Sequence, residues 1–272
     1  MRKKIKILGV EFDTITEKEA LEKVEGWLNE KNKRKRVIVT PNPEIILKAE
    51  NNNRYRKILN KADLSIPDGI GVLWASKFNR ISKKQSIPKK IGQWFVSLAI
   101  IPFDPKYIRT EIPERLTGSD LTKRICALAA QKNKKVYLLG AQEGIAKLTA
   151  KKLKKLYPKL KIAGTHAGTP DKRDEDKIIQ KIRKSKADIL FVAYGAPSQE
   201  LWIDRNIKKI PTVKIAAGIG GTFDFLSGNI PRAPKNFRKY GLEWAYRLYK
   251  EPRRIKRIFN ATIKFPIKVL FK

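Results

Sequence analysis

Asp68 lies in Ser65-Ile66-Pro67-Asp68-Gly69-Ile70-Gly71, between a proline that fixes one backbone angle and a glycine that frees the next. Leu64-Ser65-Ile66 reads as the short apolar end of a strand. Asp68 is therefore expected in a strand-to-helix turn, where α/β enzymes carry reactive groups. A carboxylate there can take a proton from a hydroxyl. It can equally be an ordinary turn or helix-capping aspartate, since Asp-Gly is common turn chemistry. Gly69 and Gly71 read as positions where another molecule approaches the main chain.

Four more loops could share a ligand with it. Thr40-Pro41-Asn42-Pro43 is a stiff loop at the end of an apolar run. Leu139-Gly140-Ala141-Gln142-Glu143-Gly144 follows a strand and opens a helix, so a phosphate could meet helix N-terminal amides there. Tyr194-Gly195-Ala196-Pro197-Ser198-Gln199-Glu200 offers Gln199, which both donates and accepts. Ala217-Gly218-Ile219-Gly220-Gly221-Thr222-Phe223-Asp224 is the fourth. Any one of these loops alone is ordinary punctuation. Five together describe a crevice for a phosphorylated ligand.

The elements that must position them follow from periodicity. Lys4–Phe12 reads as an opening strand or hairpin, and Thr16-Glu17-Lys18-Glu19 as a capping box starting a helix to about Asn29. Arg36–Thr40 is a strand and is followed by a helix through Ile45, Ile46 and Ala49. From Lys135 onward, strands at 136–139, 160–163, 188–193 and 213–216 alternate with helices at 143–156, 174–185 and 199–207. That order predicts an α/β fold, a Rossmann-like and mostly parallel sheet with helices on both faces. The core is expected over 1–231, and 232–272 as a basic amphipathic C-terminal helical appendage that docks on membrane.

Composition narrows the chemistry. With one histidine and one cysteine, a Cys/His metal site within one chain is ruled out, as is an internal disulfide. Cys126, in an apolar helical run, reads as a buried hydrophobe, and His166 as a polar residue of a Gly-rich turn. The N-terminus has a basic start but only a strand-length apolar run, so no signal peptide is expected. No stretch reaches the roughly 18 apolar residues of a membrane span, and a cytoplasmic protein follows.

The formal charge of +35 calls for a polyanionic neighbour: nucleic acid, an anionic membrane surface or a phosphate-rich substrate. A lysine-rich, cysteine-poor thermophile would account for part of it. Arg232–Lys272 holds 13 Lys/Arg against two acids, Glu243 and Glu251, with aromatics between them. One segment fits the α/β alternation poorly. At about 79–113, Ile91–Phe103 is mostly apolar, too short to span a bilayer but long enough for an interfacial segment or lid. A buried extra helix is the other reading. Trp94-Phe95 beside Lys89-Lys90 suggests a second membrane contact.

Motifs along the whole chain carry a resemblance. Thr40-Pro41-Asn42-Pro43-Glu44, Pro67-Asp68-Gly69-Ile70-Gly71-Val72 and Glu114-Arg115-Leu116-Thr117-Gly118-Ser119-Asp120 occur in order. So do Gly195-Ala196-Pro197-Ser198-Gln199-Glu200, Gly220-Gly221-Thr222-Phe223-Asp224 and the tail, Arg232-Ala233-Pro234, Gly241-Leu242-Glu243-Trp244 and Glu251-Pro252-Arg253-Arg254. Outside about 79–113, the chain closely resembles the WecG/TagA/CpsF family of bacterial glycosyltransferases.

The resemblance implies an inverting transferase that needs neither metal nor other cofactor. It would move a sugar from a UDP-sugar donor to a polyprenyl-diphosphate-linked acceptor at the inner face of the cell membrane. N-acetylmannosamine is the first sugar to expect, with another hexose or a uronic acid as the alternative. By that likeness Asp68 is the general base. Thr40 and Asn42 line the donor pocket, Arg115 and Gln199 hold diphosphate or sugar, and Gly140, Ala141 and Asp224 border the nucleotide. The tail would dock on membrane and supply Arg247, Arg254 and Arg257 in place of a metal. Arginine suits that task because its planar fork donates two parallel bonds to phosphate. No nucleic-acid partner is expected, since an RNA-binding reading rests on charge and aromatics alone. A nicotinamide-dependent oxidoreductase lacks its Gly-x-Gly-x-x-Gly. Self-association stays open.

Overall fold

A computed structural model describes residues 4–32 and 34–272; residues 1–3, the basic start of the chain, lie outside the described residues. Strands β1 (Lys4–Ile7) and β2 (Val10–Asp13) form the expected antiparallel hairpin. Six more strands make the main sheet: β3 (Arg36–Val39), β4 (Leu64–Ser65), β5 (Lys135–Gly140), β6 (Lys161–His166), β7 (Ile189–Ala193) and β8 (Ile215–Gly218). Their order is β4-β3-β8-β7-β5-β6 and every pairing is parallel. All six C-terminal ends therefore lie along one edge, and the loops that follow them converge there.

Strand β5 explains why the sheet is covered twice. Val136 and Leu138 pack into one core with helices α1 (Glu17–Asn29), α6 (Gly118–Gln131) and α7 (Ile145–Leu156). Tyr137 and Leu139 point the other way, into a core with α8 (Glu175–Ser185) and α9 (Ser198–Asn206). A strand buried on both faces must be apolar throughout, as Val136–Leu139 and Ile189–Ala193 are. The remaining helices are α2 (Pro43–Glu50), α3 (Asn53–Asn60), α4 (Ile70–Ser82), α5 (Ile87–Ile100) and α10 (Thr222–Ser227). Helix α1 starts on the predicted capping box, with Thr16 and Glu19 each bonded to the other's backbone N–H.

A third core joins the hairpin to α2, α3 and α4, with Trp74 stacked on Phe78 at 5.2 Å between ring centroids. The tail contributes to it. After α11 (Lys235–Lys239), α12 (Glu243–Lys250) and α13 (Ile255–Phe259), a π-helical turn at Asn260–Lys264 leads into α14 (Phe265–Leu270). Phe265, Val269 and Leu270 are buried beside Val72 and Trp74. The sequence draws a boundary at 232, but core packing crosses it and the end of the tail is built into the body of the protein.

Two local readings change. His166 ends strand β6, paired with Leu139, rather than sitting in a turn. Its Nε2 lies 3.3 Å from Lys181 Nζ, and burial together with that lysine holds its pKa below the ordinary value. Gly71 is approached by the protein itself, since a Cβ there would come within 3.0 Å of Pro43 Cγ. Cys126 is buried as expected, and its burial pushes the thiol up to about 12. Among the described residues no helix is long and apolar enough to cross a membrane.

Candidate active site

Asp68 follows β4 in the expected turn, its N–H donating to Pro41 O at 3.0 Å. That bond ties the Asp68 loop to the Thr40–Pro43 loop after β3. Asn42 then caps α2, its Oδ1 accepting from the Ile45 N–H at 3.0 Å. The buried Thr40 hydroxyl reaches Gly218 O of β8 at 3.4 Å. Three neighbouring strand ends, β4, β3 and β8, thus meet within a few bonds.

Helix α6 arrives from outside the sheet and aims its N-terminus at this meeting point. The Gly118 N–H donates to the Asp68 carboxylate, adding the positive end of the helix to the site. A Cβ at Gly118 would lie 3.2 Å from Thr40 Oγ1 and 3.7 Å from Asp68 Oδ2, so a bare main chain permits the contact. Burial raises the Asp68 pKa above the usual carboxylate range. Arg115 and Arg247 pull against that shift, whereas Glu243 adds to it. A carboxylate with a raised pKa is a better proton acceptor than an ordinary aspartate.

The two arginines, one from the core and one from the tail, share one anchor. Arg115 Nη2 donates to Glu243 Oε2, and Arg247 Nη2 to Glu243 Oε1, each at 2.8 Å. Arg115 also donates to Arg238 O at 2.9 Å. The Arg247 guanidinium lies 4.6 Å from the centre of the Phe225 ring. Burial opposes ionisation of Glu243, yet Arg247 and Arg115 outweigh it and hold its carboxyl low. The Nε atoms of both arginines are buried without an acceptor among the described residues, so this cluster keeps donors the protein does not use. A second lock fastens the tail where it leaves the core: Arg232 grips Asp120 with two bonds of 2.6 Å.

A cleft of about 560 Å³ opens beside this cluster, lined by Ala141, Tyr194, Asp224, Asn229, Glu251 and Arg254 among others. Gly140 turns at φ +103°, and a Cβ there would come within 2.7 Å of the Ala193 backbone. Only glycine lets β5 end this close to β7, which sets the cleft floor. Arg254 enters from the tail, ion-paired with Glu251 at 2.8 Å. The structure therefore groups the expected residues in two adjoining sets: Asp68 with Thr40, Arg115 and Arg247, and Ala141 with Asp224 and Arg254.

Two expected residues are engaged elsewhere. Gln199 is fully buried, its Oε1 accepting from the Gly220 N–H at 2.8 Å and its Nε2 donating to Glu200 at 2.6 Å. It shapes the Gly220 loop from behind. Arg257 is bound to Glu44 of α2 at 2.8 Å, two residues from Asn42. Glu243 and Gly118 lie within motifs of the sequence, but their positions along the chain reveal no role. Glu243 is 128 residues from Arg115, so only folding shows that they meet.

Strand-end loops gathered about a desolvated carboxylate and two paired arginines describe an α/β enzyme with a crevice at one edge of its sheet. The chain belongs to the glycosyl transferase WecG/TagA/CpsF family, whose profile matches residues 5–91 and 105–272. The motif resemblance is thereby borne out, and the unmatched segment, 92–104, is narrower than the 79–113 expected. Three similar proteins carry the name N-acetylglucosaminyldiphosphoundecaprenol N-acetyl-beta-D-mannosaminyltransferase. The one from Bacillus spizizenii is 35% identical over 82% of this chain and 74% of its own length. The Bacillus subtilis protein is 31% identical over 86% and 78%, and a Staphylococcus aureus protein 29% over 96% and 90%.

Proposed function

We propose that this glycosyltransferase moves N-acetylmannosamine from a UDP-sugar onto a polyprenyl-diphosphate-linked N-acetylglucosamine, with inversion at the anomeric carbon. The observation that carries the reading is Asp68, its pKa raised, beside one arginine from the core and one from the tail. The relatives' names supply the acceptor and the sugar.

In this reading the Asp68 carboxylate takes the proton of the acceptor hydroxyl while that oxygen forms its bond to the anomeric carbon. The bond from that carbon to the diphosphate oxygen breaks on the opposite face, and UDP departs as an anion. Ala141 and Asp224 border the nucleotide in the cleft. Arg254 faces the departing diphosphate, with Arg247 and Arg115 providing further positive charge, so that no metal ion is required. Fixed guanidinium groups suit this work, because they are in place before charge develops. Both arginines are paired with a glutamate, but Arg254 lines the cleft and Arg257 does not, which favours Arg254 as the leaving-group cation. Thr40 and the free end of the Asn42 amide meet the sugar. Because the acceptor is a membrane lipid, the enzyme works as a peripheral protein at the cytoplasmic face, its basic tail against anionic headgroups.

The test is direct. Incubating the full chain with synthetic polyprenyl-diphosphate N-acetylglucosamine and a panel of UDP-sugars, then weighing the lipid products, should show one N-acetylhexosamine added from UDP-N-acetylmannosamine. Addition from another UDP-sugar alone would replace the donor, and no product from any donor would end the reading.

A further inference from the structure

We propose that helix α5 is a second foot on an anionic lipid bilayer, distinct from the basic tail and splinted to it. Of its 14 residues only Ser97 is buried, and the Ser97 hydroxyl accepts from Trp74 Nε1 at 2.9 Å. The opposite face is an apolar stripe. Ile87, Ile91 and Phe95 follow one another at four-residue spacing and are 72%, 37% and 63% exposed. Phe103, just past the helix, is 87% exposed. A water-facing surface gains nothing from such residues. Lys83 and Lys84 just before the helix and Lys89 in its first turn are all exposed, and no acidic residue occurs between Ser82 and Asp104. Apolar stripe, a basic N-terminal end and a length too short to span a membrane together describe a helix lying in a lipid interface.

The mounting of α5 supports the same conclusion. Trp94, which the sequence groups with Phe95, turns inward and donates from Nε1 to Pro266 O of α14 at 2.9 Å. The tail beyond Glu251 carries its own exposed stripe, Ile255, Phe259, Ile263, Ile267 and Phe271, interleaved with lysines and arginines. A strict four-residue spacing outruns the 3.6-residue α-helical period, and the wider π turn at Asn260–Lys264 takes up part of that drift. Two apolar stripes with basic residues near them therefore lie on helices joined by a hydrogen bond. The family profile matches the chain through Ile91 and resumes at 105, so the second half of α5 with Phe95 lies between its two matched stretches.

Lipid is the occupant that the charge favours. A second copy of the chain meeting this face symmetrically would set lysine against lysine. Two feet also fix orientation where one would let the protein swivel. Helix α4, packed on α5, begins two residues after Asp68 and is about 20 Å long, so the footing is carried rigidly to the site.

The proposal deepens the reading of a lipid-linked acceptor, but its test needs no substrate. The full chain is floated with vesicles of phosphatidylglycerol and phosphatidylethanolamine, and with phosphatidylcholine alone. The triple variant Ile87→Gln, Phe95→Gln, Phe103→Gln should bind the anionic vesicles at least about tenfold more weakly than the parent. Its turnover on a short-chain, water-soluble acceptor should be unchanged. If sugar transfer itself is absent, the flotation result still stands. Equal vesicle binding by parent and variant overturns the proposal. So does a parent dimer in sedimentation that the variant abolishes without loss of vesicle binding. Should the glutamine variant unfold by circular dichroism, Lys83→Glu, Lys84→Glu, Lys89→Glu decides alone, and unchanged binding to anionic vesicles at low salt overturns the proposal.

Discussion

Glu243 of the tail and Arg115 of the core meet at 2.8 Å, and the same carboxylate holds Arg247 at the same distance. This ion triad delivers two guanidinium groups to the neighbourhood of Asp68 and fastens the tail over the strand ends. Breaking one member would leave the others buried and unbalanced, which is why such clusters act as a unit.

Turnover should rise with pH as Asp68 ionises and level off above its raised pKa, because the base works only when unprotonated. Glu243→Gln removes a like charge from the vicinity of Asp68, so the acidic limb should move to lower pH. The loosened arginines should lower kcat/KM in the same variant. A merely structural Glu243 would leave the limb of the pH–rate profile in place.

Asp68→Asn keeps the shape and removes the proton acceptor. Turnover should fall roughly 10²–10⁴-fold, while UDP binding measured by calorimetry stays close to the parent value. Near-normal turnover would take the role of base away from Asp68.

Phe265→Ala tests whether the tail belongs to the core. Phe265 is fully buried beside Val72 and Trp74. The variant should unfold more easily by about 3 kcal/mol or more in urea titration. A loss well under 1 kcal/mol would mean that the tail is only loosely applied.

The lock between Asp120 and Arg232 should show in acid. Burial opposes ionisation of Asp120, yet Arg232 and Thr117 hold its carboxyl at about 2, below its ordinary 3.8. A depressed carboxyl stabilises the fold above its ordinary pKa, and that contribution is lost as pH falls toward about 2. Asp120 is partly exposed, so screening reduces the effect to about 1 kcal/mol. Between pH 4 and pH 2 the parent should therefore lose about that much more stability than Asp120→Asn, read from unfolding midpoints.

The sequence by itself determined the alternation of strands and helices, the capping box of α1, the turn that carries Asp68 and the family. Those features are written in short-range patterns: apolar period, proline and glycine placement, and motifs whose members are neighbours in the chain. It could not say that Gln199 is turned inward or that Arg257 is tied to Glu44, because both depend on partners at least twenty residues away. Nor could it separate the two aromatics at 94 and 95, since only the position of α14 decides which one faces inward. Tertiary structure alone brought Arg115, Glu243 and Arg247 to Asp68 and worked Phe265 into the core. The physical reason is the same in each case. Burial and opposite charge act through space, across separations along the chain that no local pattern records.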